Sequence, residues 1–427
     1  MITVEPNAVE CDTGEALCRF CSAPITFTMV DLGKSPLCQT MLDRSQLNEM
    51  EPFYPLHVYV CGGCSLAQIE ESVSPDEIFS DYNYFSSYSD SWLDHARRYV
   101  QDMTIRFGLD ETRQVVELAS NDGYLLQYFV AAGIPSLGIE PAANVAEAAR
   151  ARGVETIAEF FGAELGRRLA ERGVQADLLL GNNVLAQVPD LNGFVAGMKA
   201  LLAPEGVFTI EFPHLFTLID GNQFDTIYHE HFSYFSFTSA ARIFEAHGLT
   251  LWDVEELPTH GGSLRIFGRH AENPQRPGTA RAKEMLAREQ QRGVDDLSTY
   301  ANFGHRVEET KRKLLSFLID AKERGETVVG YGAPGKGNTL LNYCGIRTDL
   351  LEYTVDRSPA KHGRYLPGTH IPVYRPEKIF ETRPDYVLIL PWNLRDEIVA
   401  KMSGIREWGG RFVVPIPQAE VIGPNSS

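Results

Sequence analysis

Val115-Val-Glu-Leu-Ala-Ser-Asn-Asp-Gly123 is the stretch of sequence that decides the fold. Its first four residues have the composition of a buried strand, and the small and polar residues after them predict a tight turn. A helical pattern follows over 124–132, and a second strand over 136–140 comes after that helix. Strand, turn, helix and strand at this spacing predict parallel strands joined by a crossover helix.

The same alternation continues along the chain. Helices are predicted over 142–152 and near 192–203, and strands are predicted over 176–181 and 206–211. Upstream, residues 79–105 begin as an aromatic-rich segment and turn into an amphipathic helix. Repeated strand–helix units of this length predict a parallel, doubly wound α/β sheet with a helical lead-in.

The C-terminal third repeats the pattern on a smaller scale. A polar stretch over 271–298 leads into a long helical segment that runs to residue 323. A second strand and glycine-rich turn begin at Thr327-Val-Val-Gly-Tyr-Gly332, and further strands are predicted over 351–356 and 386–390. The sequence therefore predicts a second, smaller α/β domain after a linker helix.

Composition and charge exclude several classes of protein. The 427 residues are 44% hydrophobic and 22% charged, which is ordinary for a globular protein of two or three domains. A formal net charge of -18 argues against a nucleic-acid or anionic-membrane partner, although a local basic pocket for a small anion is compatible with it. No apolar run is long enough to span a membrane, and the N-terminus carries acids where a signal peptide carries lysines. We expect a cytoplasmic enzyme.

Six of the seven cysteines lie in the first 64 residues. Cys18-Arg-Phe-Cys21 and Cys61-Gly-Gly-Cys64 are two Cys-x2-Cys turns, a pairing that matches one tetrahedral zinc held by four thiolates. Because four cysteines leave no open ligand position, this zinc is predicted to be structural. Cys11 and Cys38 lack partners at ligand spacing and are not expected to bind the metal.

The turn after the first strand predicts a ligand site, because ligands bind at the carboxyl ends of strands in open α/β sheets. Glu140 ends the next strand, where a carboxylate can accept both ribose hydroxyls. A dinucleotide fold would carry Gly-x-Gly-x-x-Gly at the first turn, whereas this chain has Ala-Ser-Asn-Asp-Gly. Glu117 just upstream makes the segment resemble motif I of the class I methyltransferases, where the acid serves the methionine moiety of S-adenosylmethionine.

Tyr228-His-Glu-His231 lies in the densest run of acid–base groups in the chain. Two histidines at positions i and i+2 share a face only in an extended segment, and the spacing is not that of a His-Glu-x-x-His metal site. A histidine with near-neutral pKa beside a carboxylate and a tyrosine is better suited to general-base catalysis. From composition alone, an aromatic and histidine-rich loop between domains is an equal alternative.

Across nearly its whole length the chain resembles the sugar C-methyltransferases of antibiotic deoxysugar biosynthesis, which methylate TDP-linked 4-keto-hexoses at C3 or C5. The motifs that carry the resemblance are the two Cys-x2-Cys turns, Glu117-Leu-Ala-Ser-Asn-Asp-Gly123, Asn182-Asn-Val184, Glu211-Phe-Pro-His214, Tyr228-His-Glu-His231, His260-Gly-Gly-Ser-Leu-Arg265, Lys336-Gly-Asn338 and Gly363-Arg-Tyr-Leu-Pro-Gly-Thr-His370.

The resemblance implies three parts: a zinc-binding module over 1–78, a class I methyltransferase domain of Rossmann-like fold over 79–270, and a linker helix with a C-terminal Rossmann-like α/β domain over 271–427. The last part would bind the sugar nucleotide together with the N-terminal part. The cofactors implied are S-adenosylmethionine and one structural zinc per chain. The partner is a small TDP-linked keto-sugar, and the oligomeric state is left open, with a monomer compatible.

The resemblance also assigns roles to residues. His231 is the base that removes a proton beside the C4 ketone, with Glu230 and Tyr228 around it and Tyr82 completing the site near the sugar. The cofactor would contact Glu117, Ala119, Asn121, Asp122, Gly123, Glu140 and Asn183. The substrate would contact Ser87, His214, Ser263, Arg265, Lys336, Asn338 and Arg364.

Gln187 departs from the family pattern. The segment after Asn182-Asn-Val184 usually reads Leu-Ala-His-Val-Pro-Asp, and here glutamine replaces the histidine, which is thought to line the active site. Glutamine donates a hydrogen bond to an oxyanion but does not transfer protons at neutral pH. If His231 alone is the base, activity should survive the change.

Gly330-Tyr-Gly-Ala-Pro-Gly-Lys-Gly337 matches the first part of a P-loop. It fails at Gly337, which stands where a P-loop has the Ser or Thr that holds magnesium, so NTP hydrolysis is rejected. Lys336 and Arg265 are candidate diphosphate partners, and a phosphate-cradling loop stays compatible with the sequence.

The predicted activity is transfer of a methyl group from S-adenosylmethionine to a carbon next to the C4 ketone of a TDP-linked 4-keto-deoxysugar, with C3 preferred, through proton abstraction and an enolate. Three alternatives remain: an O- or N-methyltransferase on the same scaffold, a catalytically impaired binding homologue suggested by Gln187, and an NAD-dependent reductase. The sequence leaves open which deoxysugar is used, C3 against C5, and the stereochemistry.

Overall fold

Three β-sheets organise the chain in a computed structural model that describes residues 16–79 and 85–423. The described residues form these strands: β1 (Phe27–Ser35), β2 (Tyr54–Val60), β3 (Ala67–Ile69), β4 (Val115–Leu118), β5 (Ser136–Ile139), β6 (Glu155–Ile157), β7 (Ala176–Asn182), β8 (Leu202–Pro213), β9 (Ser233–Tyr234), β10 (Leu249–Leu257), β11 (Ser263–His270), β12 (Val328–Tyr331), β13 (Thr354–Val355), β14 (Val373–Tyr374), β15 (Tyr386–Ile389), β16 (Arg411–Val414) and β17 (Glu420–Ile422).

The α-helices of the described residues surround these sheets. They are α1 (Pro75–Phe79), α2 (Asp90–Phe107), α3 (Leu126–Ala131), α4 (Ala143–Ala151), α5 (Ala163–Glu171), α6 (Leu191–Leu201), α7 (Leu215–Asp220), α8 (Phe237–Ala246), α9 (Ala280–Gln291), α10 (Ser298–Ala301), α11 (Phe303–Glu323), α12 (Gly335–Cys344), α13 (Lys378–Thr382) and α14 (Arg395–Lys401).

The central sheet has the strand order β10-β11-β8-β7-β4-β5-β6. Strands β8, β7, β4, β5 and β6 are parallel, and the helices between them confirm the predicted α/β alternation. The β10–β11 hairpin pairs antiparallel with β8 and was not predicted. This hairpin brings the loop between its strands, which contains His260, to the carboxyl ends of the parallel strands.

The N-terminal sheet is antiparallel and has the order β1-β2-β3-β9. Its fourth strand, β9, comes directly after Tyr228-His-Glu-His231. The Ile69 amide also donates to the Phe232 carbonyl at 3.0 Å. The N-terminal module is therefore joined, through backbone pairing, to the segment that carries the predicted base.

The C-terminal sheet has the order β14-β13-β12-β15-β16-β17, with every pair parallel except β16–β17. The predicted second α/β domain is confirmed, and α11 is the long helix that precedes it. Among the described residues, no helix is both long and apolar enough to cross a membrane.

Two hydrophobic clusters cross the boundaries between these parts. One joins Val30 and Val58 of the N-terminal sheet to α7 and to Leu340 and Leu388 of the C-terminal part. The other joins Cys61 and the residues around it to the central sheet and its helices. The N-terminal module therefore packs against both of the larger parts.

Candidate active site

A cavity of about 900 Å³ lies where the three parts meet. Residues at the carboxyl ends of β4, β5 and β7 line one end of it, and residues that follow β12, β13 and β15 line the other. Gln39 contributes from the N-terminal module. A cavity of this size holds two small molecules side by side, which suits a transfer between a cofactor and a substrate.

The turn after β4 forms the first end of the cavity. Ala119, Asn121 and Gly123 all have left-handed backbone torsions, with φ of 53°, 48° and 75°. At Gly123 a Cβ atom would lie 2.9 Å from Val154 Cγ2, so the close approach of the α4–β6 connection requires glycine there. Ala119 and Asn121 line the cavity, and the turn exposes its backbone to a ligand.

Acidic side chains surround this turn. Glu140 lines the cavity, and its carboxylate accepts hydrogen bonds from the Asn121 and Ala142 amides at 3.0 Å each. Glu117 lies fully buried beneath the turn, where burial raises its pKa well above the usual range. Asp122 is buried and pairs with Arg152 at 2.7 Å. This arrangement of backbone and carboxylates fits the ribose and the charged methionine end of S-adenosylmethionine.

The Ser86-Ser87 segment closes over the turn. The Ser86 amide donates to Asn121 Oδ1 at 2.9 Å, and the Ser87 hydroxyl donates to Asp122 and accepts from Arg152. Ser87 therefore stabilises the turn through Asp122 and Arg152, and it is not among the residues that line the cavity. This corrects the sequence-based assignment of Ser87 as a substrate contact. Tyr82 lies outside the described residues.

His231 lines the middle of the cavity. Its Nδ1 lies 3.2 Å from the Thr226 carbonyl oxygen, and because a carbonyl only accepts, Nδ1 carries the proton. Nε2 is then the basic atom, and it has no hydrogen-bond partner among the described residues. Burial lowers the pKa of His231 to about 4, so the near-neutral pKa expected from sequence is wrong, and the ring is neutral at pH 7.

The residues near His231 differ in what they contact and in whether they face the cavity. The Tyr228 ring packs on the imidazole with centroids 4.1 Å apart, and Tyr228 and Glu230 both line the cavity. Cys38 of the N-terminal module donates from its thiol to Glu230 Oε1 at 3.4 Å. His229 points away and bonds the Pro55 carbonyl at 3.0 Å. Cys38 thus contacts the Glu230 carboxylate. The sequence showed only that Cys38 lacks the spacing of a metal ligand, and it gave no sign of this contact.

A second histidine, His260, lines the cavity on the side of the central sheet. Its Nε2 lies 3.1 Å from Asn183 Nδ2, and the two residues have left-handed φ of 53° and 57°. Gln187 also lines the cavity, and within the described part of the chain no hydrogen bond from its side-chain amide is found. The amide of Gln187 is therefore available to a bound molecule.

Three cationic side chains line the other end of the cavity, beside the carboxylates of Asp356 and Glu397. Lys336 lines it and donates to Asn393 Oδ1 at 2.9 Å, and Arg357 and Lys361 line it as well. The sequence contains a pattern that indicates this end: Gly330-x-Gly332-x-x-Gly335 spans the last residues of β12 and the start of α12, and Asp356 follows β13. That spacing is typical of a dinucleotide-type phosphate turn, whose helix N-terminus favours phosphate.

Both carboxylate oxygens of Asp356 are, however, occupied by the chain itself. Oδ2 accepts from the Ala333 amide at 2.7 Å and Oδ1 accepts from the Ser358 amide at 2.8 Å. Asp356 therefore shapes the turn that precedes α12.

The structure corrects the assignment of Arg265 to the diphosphate. Arg265 is buried in the central sheet, where it pairs with Glu211 at 3.0 Å and Glu255 at 3.3 Å and covers the Tyr99 ring. Burial alone would raise the pKa of Glu211, but His95 and Arg265 lower it to about 2. Arg265 is committed to this internal network and does not reach the cavity.

Four more sequence-based substrate contacts do not line the cavity. His214 bonds Glu289 at 2.9 Å, and the Ser263 hydroxyl bonds the Thr259 carbonyl at 3.0 Å. Asn338 is buried inside α12, and Arg364 lies on the surface, 3.8 Å from Asp43. Of the seven assigned residues only Lys336 lines the cavity, because motif order fixes the chain segment and not the direction of a side chain.

The four predicted zinc ligands converge. The sulfur atoms of Cys18, Cys21, Cys61 and Cys64 all lie within 4.8 Å of one another, with Cys18–Cys64 at 3.6 Å and Cys21–Cys61 at 3.5 Å. Tetrahedral zinc with bonds of about 2.3 Å places thiolates about 3.8 Å apart, so the four cysteines fit a structural zinc. Cys38 lies outside this group, as expected from its spacing.

Comparison with known proteins agrees with these sites. Family models match a zinc binding domain over residues 18–79, a methyltransferase domain over 92–254 and a C-methyltransferase C-terminal domain over 258–417. The C-methyltransferase NovU of Streptomyces niveus is 39% identical over 412 residues, which cover 96% of this chain and 97% of that protein.

Solved structures resemble the chain over a smaller part. Magnesium protoporphyrin IX methyltransferase of Synechocystis is 12% identical, with a TM-score of 0.34 over 41% of this chain and 82% of its own. The glycopeptide N-methyltransferase MtfA is 13% identical, with a TM-score of 0.33 over 41% of this chain and 96% of its own. Neither likeness is strong enough to support an argument about function. The near full-length match to a C-methyltransferase and the three family models in this order show that the chain belongs to the S-adenosylmethionine-dependent C-methyltransferases that carry an N-terminal zinc-binding module.

Proposed function

We propose that the enzyme methylates the carbon next to the C4 ketone, with C3 preferred, in a TDP-linked 4-keto-deoxysugar. The observation that carries the proposal is His231: a buried, neutral imidazole that lines the cavity, with Nδ1 bonded to the Thr226 carbonyl so that Nε2 is the basic atom. A base aimed into such a cavity fits carbon acid chemistry, in which a proton is removed before the new bond forms.

His231 Nε2 would take the proton, and the electron pair of the broken C–H bond would move onto the ketone oxygen. The Gln187 amide lines the same cavity, and it is the donor that would stabilise the negative oxygen. The electron pair would then return to carbon as it bonds to the methyl group that bound S-adenosylmethionine supplies. The C4 ketone is restored, and the proton remains on His231.

The two ends of the cavity support a sugar nucleotide as the substrate. The phosphate turn before α12, together with Lys336, Lys361 and Arg357, would receive the diphosphate. The sugar would then extend toward His231, and the adenosine of the cofactor would lie on the β4 turn at the opposite end. In place of Arg265 and Arg364, we propose Arg357 and Lys361 as diphosphate partners, because both line the cavity. Arg357 pairs with Glu397 at 3.1 Å and Lys361 donates to the Ala333 carbonyl at 2.8 Å, and each would exchange this partner for a phosphate oxygen.

Incubation of the enzyme with labelled S-adenosylmethionine and a panel of TDP-4-keto-hexoses tests the substrate and the position, with the methyl located by NMR. Replacing His231 by Asn should lower methyl transfer by at least about a hundredfold, since a general base contributes about that much or more. Its affinity for S-adenosylmethionine, measured by calorimetry, should stay within about threefold, because in the described residues His231 bonds Thr226 and packs on Tyr228, away from the hydrogen bonds of the β4 turn.

A second readout separates C-methylation from O- or N-methylation. With S-adenosylhomocysteine in place of the methyl donor, the wild-type enzyme should exchange the proton beside the ketone with solvent deuterium. His231→Asn should not. An O- or N-methyltransferase has no need of this exchange, so turnover without exchange, or near-normal turnover by His231→Asn, would contradict the proposal.

A further inference from the structure

The segment that carries His231 is held from the C-terminal domain by two side-chain hydrogen bonds. Trp392 Nε1 donates to Asp225 Oδ2 at 2.7 Å, and the Thr339 hydroxyl donates to the Ile227 carbonyl at 2.9 Å. Asp225 and Ile227 are 0% exposed, Thr339 is 2% exposed and Trp392 is partly buried, so both acceptors are shielded from water.

These two bonds flank the atom that orients the base. Thr226 lies between Asp225 and Ile227, and its carbonyl oxygen accepts from His231 Nδ1 at 3.2 Å. Fixing the residues on both sides of Thr226 fixes the direction of its carbonyl. The direction of that carbonyl in turn sets the tautomer and the plane of the imidazole.

The same two side chains adjoin the phosphate turn. Lys336 Nζ lies 4.6 Å from the centre of the Trp392 ring, and Thr339 follows Lys336 by one turn of α12. Trp392 also packs against the loop of His260: a Cβ atom at Gly261, whose φ is 93°, would lie 2.5 Å from Trp392 Cη2. One indole thus contacts the phosphate-side lysine and both histidine loops of the cavity.

We propose that Trp392 and Thr339 are positioning residues, which tie the segment 224–231 to the phosphate-binding end of the C-terminal domain and thereby aim His231. The link to the nucleotide rests on the proposed function, whereas the link to the base loop does not. A nucleotide that draws Lys336 toward its phosphates would act on the Trp392 ring and so reduce the freedom of the base loop.

Trp392→Phe keeps an aromatic ring and removes the indole N–H, and Thr339→Val removes the hydroxyl at nearly constant shape. Trp408→Phe is the matched control, because Trp408 Nε1 bonds the Pro384 carbonyl at 3.0 Å in the same domain, away from the cavity. The first measurement is backbone hydrogen exchange of residues 224–231 in the ligand-free protein. We expect exchange at least about fivefold faster in Trp392→Phe and Thr339→Val than in Trp408→Phe, the effect of one net hydrogen bond.

The second measurement is steady-state kinetics with the sugar nucleotide. A displaced base lowers kcat by about tenfold or more while the KM values stay within about threefold, since each substrate keeps its own contacts. A residue that only supports stability would change the unfolding temperature without this split. Equal exchange in all three variants, or equal kcat in Trp392→Phe and Trp408→Phe, would overturn the proposal.

TDP is the probe for the nucleotide link. In the wild-type protein, TDP should slow exchange of residues 224–231, and in Trp392→Phe this protection should fall by at least about fivefold while TDP still binds by calorimetry. Protection that is undiminished in Trp392→Phe would refute the link. Absence of TDP binding to the wild-type protein would instead contradict the proposed substrate class, with the ligand-free exchange still deciding the role of the two side chains.

Discussion

Gln187 stands where the family that the chain resembles usually has histidine, and its side chain lines the cavity that contains His231. Since an amide does not transfer protons at neutral pH, we expect Gln187 to act only as a hydrogen-bond donor and His231 to act as the base. Gln187→His should keep kcat within about tenfold, and Gln187→Ala should lower it by about a hundredfold, the effect of removing one oxyanion donor. Methyl transfer to the keto-sugar measures both.

Complete loss of activity in Gln187→His would mean that glutamine has a task that histidine does not perform. Equal activity in Gln187→Ala and the wild type would show that the amide contacts no reacting atom. Unfolding temperatures of both variants serve as the control, because a side chain that faces a cavity contributes little to stability.

The sequence identifies a functional residue when the residue type and its spacing are diagnostic. It does not show in which direction a side chain points in the folded protein. Tyr228-His-Glu-His231 could be picked out because acid–base groups are dense there, and the four cysteines because their spacing matches a metal. Arg265 and His214 could not be excluded from sequence, because a buried ion pair and a phosphate contact use the same side chains. The pKa of His231 depends on burial, which only the fold reveals.

At the scale of elements, the zinc module makes hydrogen bonds to the segment that carries Gln187, in addition to those within the module. Asn192 at the start of α6 donates to the Phe20 carbonyl at 3.0 Å, and Arg19 donates to the Pro189 carbonyl at 3.2 Å. Both contacts come from the first Cys-x2-Cys turn and reach the end of the Gln187 loop that leads into α6. Loss of the metal should therefore disturb the cavity and not only the module.

We expect one zinc per chain by elemental analysis of the purified protein. Cys61→Ser should lose the metal, unfold at lower temperature and lose methyl transfer, because a structural zinc site contributes directly to folding. Cys344→Ser is the matched control, since Cys344 is a buried thiol outside the cluster, and it should keep its zinc. A metal-free wild-type protein with full activity would contradict the four-cysteine site.

The elements that the sequence predicted and those it missed differ in a physical way. Strands β4, β5 and β7 are buried on both faces and read as apolar runs between helices, so their order along the chain predicts a parallel sheet. The β10–β11 hairpin is a non-local addition to β8 and has no such alternation with helices. The pairing of β3 with β9 joins residues far apart in sequence, and no local pattern indicates it.

For the whole molecule, the shared hydrophobic clusters predict cooperative unfolding. Val30 and Val58 of the N-terminal sheet share one cluster with Leu340 and Leu388 of the C-terminal domain, so separating these parts would expose apolar surface on each. We expect one calorimetric transition for the full chain, with calorimetric and van't Hoff enthalpies in agreement. A fragment of residues 271–427 alone should bind an apolar dye and lack a sharp transition. Two separated transitions in the full chain, or a fragment that unfolds as sharply and at the same temperature as the full chain, would show instead that the C-terminal domain folds independently and that the cavity is assembled by docking of preformed parts.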